Sequence, residues 1–156
     1  MVDIFVAETL HLVFAAVWAG SVFYVAFVLL PLARDGAFNS TRPLEVCSGK
    51  LTTISRTSAL VLLLSGGHLA GSGYTAETLF GSTNGRLVLA MVALWFALAA
   101  LVEIGAKRLE SGLNGKKLRE PARNALPPFR AAAVVAIALL VVGGAITTNL
   151  AGQLGF

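Results

Sequence analysis

Residues 8–34 read ETLHLVFAAVWAGSVFYVAFVLLPLAR, and no charged residue lies between the glutamate that opens this stretch and the arginine that closes it. A membrane-spanning helix needs about 20 consecutive apolar residues, so the stretch is long enough to cross a bilayer. Three further uncharged runs follow, between Arg56 and Glu77, between Arg86 and Glu103, and after Arg130. We therefore expect an all-α integral membrane protein with four transmembrane helices.

The composition agrees with that expectation, since 56% of the 156 residues are hydrophobic and 13% are charged, whereas soluble domains carry about 25% charged residues. The whole chain, 1–156, is predicted to form a single transmembrane domain. Its helices are expected at about residues 4–32, 51–70, 85–108 and 128–149, with Pro31 marking the end of the first. Because the connections are short, sequential helices should be antiparallel neighbours in an up-down four-helix bundle.

The basic residues predict the orientation of this bundle. They are concentrated in the loops 34–56 and 107–130, which the positive-inside rule places in the cytoplasm. The N and C termini are then extracytoplasmic, and the protein is a multi-pass protein of the cell membrane whose first partner is the lipid bilayer. The isoelectric point near 9.7 follows from the loops and does not indicate nucleic-acid binding.

The two histidines of the chain, His11 and His68, both fall inside apolar runs. The predicted topology puts both in the outer half of the bilayer, on neighbouring helices. At about 100° per residue, His68 shares one stripe of the second helix with Thr57, Val61, Leu64 and Ser65. That stripe is the more polar side of the helix, so we expect it to face the bundle interior, because an unpartnered polar group in hydrocarbon is costly.

Three interpretations of this pair remain open from the residues alone. One or both imidazoles could ligate haem iron, or both could hold a copper or zinc ion. Alternatively, they could be structural residues bonded to Ser, Thr or a backbone carbonyl. The glycines Gly66 and Gly67 beside His68 allow close packing of helices, or leave room for a flat cofactor.

Other chemistry has little support in the sequence. It contains no hydrolase triad, phosphate-binding glycine loop or CxxC pair, so no catalytic residues are predicted, and enzymatic activity is not indicated. The lone Cys47 cannot form an internal disulfide. Glu103, four residues before Lys107, predicts an i,i+4 ion pair, with a proton-relay carboxylate as the alternative.

The stretch LHLVFAAVWAGSVFYVAFVLLP at residues 10–31 resembles the first helix of the CopD-type copper-resistance membrane domain and of the related HemJ-type protoporphyrinogen oxidases. The residues that carry the resemblance are Leu10, His11, Trp18, Gly20, Phe23 and Tyr24. The stretch GRLVLAMVALW at residues 85–95 is similar to part of the third helix of these families, with Met91 where the oxidases have a lysine. The resemblance implies a small four-helix membrane protein with His11 as a haem or copper ligand, and Met91 speaks against the oxidase activity.

From the topology and the resemblance together we expect a protein that binds haem b, or less readily copper, for electron transfer or for copper and haem handling. The expected ligands are His11 and His68, with Trp18, Gly20 and Gly67 beside the cofactor. A larger membrane or respiratory complex, or a second copy of the chain, is the expected protein partner. Two other classes stay open: a non-catalytic accessory subunit and a small transporter.

Overall fold

The structure is a computed structural model that describes residues 1–115, 117–149 and 153. Helix accounts for 89% of it, and no strand occurs in the described ranges. The all-α prediction is therefore confirmed. In chain order the helices are α1 (Val2–Asp35), α2 (Arg42–Gly73), α3 (Ala76–Gly81), α4 (Thr83–Leu113) and α5 (Arg119–Thr147).

Within the described residues, three helices are long and apolar enough to cross a membrane: α1, α4 and α5. Helix α2 has a sufficient length of 32 residues, but serines, threonines and glycines dilute its apolar run. The chain thus has the helices of a multi-pass membrane protein. Three of the four predicted spans thus coincide with helices apolar enough to cross a membrane, and the second does not meet that criterion.

Helix α1 continues beyond Pro31, where the sequence predicted its end. A π-helical segment, Val25–Leu29, widens the helix just before the proline. Pro31 lies within the helix, directly after this wider turn, and has no N–H to donate to the preceding turn. The helix ends at Gly36, whose φ of 87° is the left-handed conformation that glycine adopts at low cost.

Helices α2 and α5 begin well before the predicted positions. α2 starts at Arg42, with a proline in its first turn, and α5 starts at Arg119 and contains Pro127 and Pro128. The prediction had equated each helix with its uncharged run, so it assigned these amphipathic first turns to the loops. Instead, the charged segments extend the helices past the apolar region.

The long helices pack as antiparallel pairs. Along α1 and α2, Asp3, His11 and Trp18 meet partners at steadily decreasing positions, His68, Ser65 and Ser55. Along α4 and α5, the positions Asn84, Met91, Gly105 and Gly112 lie against Asn149, Gly143, Phe129 and Pro121. α1 also meets α5 where Gly36 lies against Arg119, and α2 meets α4 through Arg56 and Glu103.

The core is concentrated toward the end where α1 finishes and α5 begins. The buried residues of α5 lie between Pro121 and Ala136, and those of α4, apart from Gly85, between Leu98 and Leu113. Alanines on α5 pack at that end around the fully buried Phe129. His11 therefore lies in the more open half of the molecule, where α1 contacts α2.

Candidate functional site

The face of α2 toward α1 carries a buried stripe of serines and leucines. Its members recur every seven residues in two series and are Leu44, Leu51, Ser58 and Ser65 with Ser55 and Leu62. A seven-residue repeat is typical of helices that pack along a seam. Serine suits such a seam because its small size permits close approach and its hydroxyl bonds across the interface.

The buried face of α2 differs from the stripe that the sequence predicted. Of its members only Ser65 is buried, while Leu64 is 65% exposed and the His68 side chain is 46% exposed. The prediction that His68 faces inward is wrong. It ranked the faces by polarity, whereas His68 lies near the end of α2, where an imidazole can remain exposed.

His11 makes a defined hydrogen bond within this seam. Its Nδ1 lies 2.9 Å from Ser65 Oγ, and Ser65 Oγ donates to the Val61 carbonyl oxygen at 2.7 Å. A serine hydroxyl has a single proton and a carbonyl oxygen only accepts, so with that proton on Val61 the Nδ1–H of His11 is the donor to Ser65. This hydrogen-bond arrangement favours the Nδ1-protonated tautomer of the imidazole.

In the neutral form of that tautomer, the second ring nitrogen of His11, Nε2, is an unprotonated acceptor. Among the hydrogen bonds of the described residues, Nε2 has none. The tautomer with a protonated, bonded Nδ1 and a free Nε2 is the one that metal-ligating histidines commonly use. The side chain of His11 is partly buried.

Gly66 is what lets the imidazole lie against α2. A Cβ at that position would be 2.9 Å from His11 Cε1, and Cβ atoms in proteins essentially never approach another heavy atom so closely. The glycine therefore accommodates the ring of His11 itself. The alternative in which Gly66 makes room for a flat cofactor is not needed to explain it.

Trp18 forms the second hydrogen bond of the seam. Its side chain is 1% exposed, and its Nε1 donates to the buried Ser55 Oγ at 2.8 Å. Sequence reasoning missed Ser55, although the seven-residue repeat of α2 would have indicated it. Between the two bonded serines, Ser58 is fully buried, and its Oγ has no partner within the described part of the chain.

The two histidines have separate partners. His68 Nε2 lies 3.5 Å from Asp3 Oδ2, near the first turn of α1, while His11 is bonded two turns farther along. No contact among the described residues joins the two imidazoles. The structure thus does not bring His11 and His68 together as ligands of one ion.

Gly20 and Gly67 lie apart from the seam. Both are exposed, and a Cβ at either would meet nothing within 4 Å. Nine residues of helix rotate by about 900°, so Gly20 is on the side of α1 opposite His11. Of the five residues predicted to surround a cofactor, His11 and Trp18 bond to serines of the seam, whereas His68 pairs with Asp3 near the start of α1.

Glu103 pairs with a residue that the sequence did not suggest. Arg56 of α2 donates to both carboxylate oxygens, with Nε–Oε1 at 2.8 Å and Nη2–Oε2 at 3.1 Å. The bidentate pair ties α2 to α4, and Lys107, the predicted partner, makes no salt bridge to it. In the part of the chain that the structure describes, no three or more His, Cys, Asp or Glu side chains cluster as a metal site.

Comparison of the chain with family models, with curated proteins and with solved structures gives no match. The candidate site is therefore argued from its own geometry.

Proposed function

We propose that this chain is a small membrane protein that binds haem b through His11 and serves electron transfer or the handling of haem or copper. The observation that carries the proposal is the hydrogen bond from His11 Nδ1 to Ser65, which leaves Nε2 free as a ligand. The resemblance of residues 10–31 to CopD-type and HemJ-type first helices points to the same histidine. Bound haem would itself supply the redox chemistry.

The membrane setting that we propose is an up-down four-helix bundle with α2 as the fourth span and both termini extracytoplasmic. The antiparallel pairing of α1 with α2 and of α4 with α5 supports the bundle. Eleven of the twelve Lys and Arg residues fall in 34–56 or 107–130, which supports a cytoplasmic position for those segments. His11 then belongs to the outer half of the bilayer.

Each residue of the seam has a defined part in this proposal. Ser65 fixes the tautomer and orientation of the imidazole, as partners of ligating histidines do. Gly66 leaves space for the imidazole ring. Trp18, seven residues after His11 on α1, forms the next hydrogen bond of the seam. His68 is held near Asp3, away from His11, so His11 is the histidine that would hold the iron.

Haem fits this site better than a bare copper ion. A copper ion needs several nitrogen or sulfur ligands from the protein, whereas a haem brings four nitrogens and needs only an axial one. Among the described residues no group of three or more His, Cys, Asp or Glu side chains surrounds His11 to hold a bare ion. A single, well-oriented imidazole therefore favours haem.

Titration of the purified protein with haemin tests the proposal. We expect a Soret band that disappears in His11→Ala and persists in the matched variant His68→Ala. Ser65→Ala should weaken haem binding about 10- to 100-fold, the usual effect of removing the partner of a ligating histidine. Equal binding by His11→Ala and the unmodified chain would contradict the assignment.

A second candidate is a non-catalytic subunit that docks on a larger membrane complex. The observation in its favour is helix α4, whose most apolar segment is only 11% buried against 33% for α1. Large side chains such as Phe96 and Val92 are exposed there. Stoichiometric co-purification with larger membrane subunits, without haem, would favour this candidate.

A further inference from the structure

A cleft of about 470 Å³ opens between α4 and α5, far from His11. It is lined by two arginines, two small polar side chains and a proline: Arg108, Ser111, Arg123, Asn124 and Pro127. The antiparallel packing of the helices brings these positions together, because Gly105 and Gly112 of α4 lie against Phe129 and Pro121 of α5. The cleft is thus built on two rigid helices.

The arginines of the cleft make no direct ion pair, although Arg123 adds to the effect of Lys117 in lowering the pKa of the Glu120 carboxyl. Neither Arg108 nor Arg123 forms a salt bridge with any described residue. Glu120 is instead bonded to Lys117 at 2.8 Å, and this hydrogen bond raises the pKa of the exposed Lys117 ammonium. Glu110 is about 200° around α4 from Arg108, on the other side of the helix.

An exposed apolar surface continues from the cleft along the same two helices. Pro127, Val134 and Val141 recur every seven residues on α5, and the two valines are 65% and 64% exposed. Ile104, one turn before Arg108 on α4, is 43% exposed. Helix rises about 1.5 Å per residue, so the face from Pro127 to Val141 is about 21 Å long, more than half of the hydrocarbon thickness of about 30 Å.

We propose that this cleft binds the phosphate of an anionic phospholipid of the cytoplasmic leaflet, with the acyl chains along the exposed face of α5. Guanidinium groups bind phosphate oxygens with paired donors, and Ser111 and Asn124 add neutral donors. The adjoining apolar face favours a phospholipid over a free phosphate ion, because only the phospholipid has acyl chains that can pack on it. The proposal rests on the membrane topology given above and is independent of haem binding.

Native mass spectrometry of the detergent-purified protein with added phosphatidylglycerol or phosphatidylcholine tests this site. We expect preferential retention of phosphatidylglycerol, weakened about thirtyfold in the double variant R108Q/R123Q, at about fivefold for each arginine. The control R42Q/K50Q removes two positive charges from exposed positions of α2 and should weaken binding less than threefold. Thermal unfolding establishes that both variants are folded.

Two results would overturn the proposal. One is equal phosphatidylglycerol retention by R108Q/R123Q and the unmodified chain. The other is displacement of the lipid by inorganic phosphate at the concentration of the lipid, because this would identify the cleft as a site for the free anion.

Discussion

At the scale of single residues, the seam between α1 and α2 explains how an imidazole and an indole are held in an apolar helix. His11 and Trp18 are seven residues apart, so they share one face of α1, and each meets a serine of α2. Each polar atom that bonds across the interface avoids the cost of an unpartnered group in hydrocarbon. The same bonds set the rotation of α1 against α2.

Neighbouring glycines give a test with opposite expected signs. Gly66→Ala should lower the free energy of unfolding by about 1–2 kcal/mol, because its Cβ would displace the His11 ring from Ser65. Gly67→Ala meets nothing within 4 Å and should raise stability by about 0.5 kcal/mol through helix propensity. Unfolding in mixed micelles measures both, and equal effects of the two substitutions would contradict the packing of His11 on Gly66.

The bond between Trp18 and Ser55 is tested by a double-mutant cycle. Trp18→Phe and Ser55→Ala should each destabilise the protein, with a coupling energy of about 0.6–1.7 kcal/mol, the range for hydrogen bonds between membrane helices. Trp95, whose Nε1 donates to the Ala59 carbonyl oxygen at 3.2 Å, is the control. Trp95→Phe should show no coupling with Ser55→Ala, and additivity of the first pair would argue against the bond.

At the scale of the helices, α2 differs from the others because it depends on polar contacts. Its links are the two serines bonded to α1, the Ala59 carbonyl bonded to Trp95, and the pair of Arg56 with Glu103. A helix held in this way needs a less apolar sequence than one that only faces lipid. The polarity of α2 is thus part of how it packs.

The ion pair between α2 and α4 yields the third prediction. Glu103→Gln removes the charge that Arg56 binds with two hydrogen bonds and should lower the free energy of unfolding by about 0.5–1 kcal/mol, a range set by the partial exposure of the pair. Lys107→Gln should change stability less, since Lys107 makes no direct bond to the carboxylate. A larger effect of Lys107→Gln would restore the i,i+4 pair that the sequence suggested.

The sequence predicted the apolar helices α1, α4 and α5 but not the rotation of the helices about their axes. Uncharged runs such as that between Glu8 and Arg34 are a direct consequence of the hydrocarbon environment, so they could be read from one chain. The hydrogen bond between His11 and Ser65 depends on the rotation of α2 about its own axis. The polarity of the α2 sequence did not predict that rotation, because it placed His68 on the inward face. Helix ends such as Arg42 were missed because charged residues continue a helix beyond the bilayer as readily as they form a loop.

At the scale of the whole molecule, the basic residues and the buried core are concentrated at the same end. The basic residues and most of the buried core lie toward the end where α2 and α5 begin, while His11 and His68 lie toward the other. One half is therefore built for tight packing near a charged surface. The other half is more open, and there the free nitrogen of His11 is found.

The lone Cys47 makes the topology directly measurable. In intact cells it should resist a membrane-impermeant thiol reagent and react only after permeabilisation, because residues 34–56 are proposed to be cytoplasmic. A cysteine introduced by Ser72→Cys in a Cys47→Ser background, near the end of α2, should react without permeabilisation. The reverse pattern would invert the proposed orientation and move both histidines to the inner half of the membrane.

The central claim is that His11 keeps Nε2 free because Nδ1 donates to Ser65, and nitrogen NMR of the histidine-labelled, haem-free protein tests it most directly. The chain has two histidines, so the spectrum of His68→Ala contains only His11. At a pH where the imidazole is neutral we predict a protonated Nδ1 and an unprotonated Nε2, with this preference lost in Ser65→Ala. A protonated Nε2 in the unmodified seam would contradict the account, because no lone pair would then be available to a ligand.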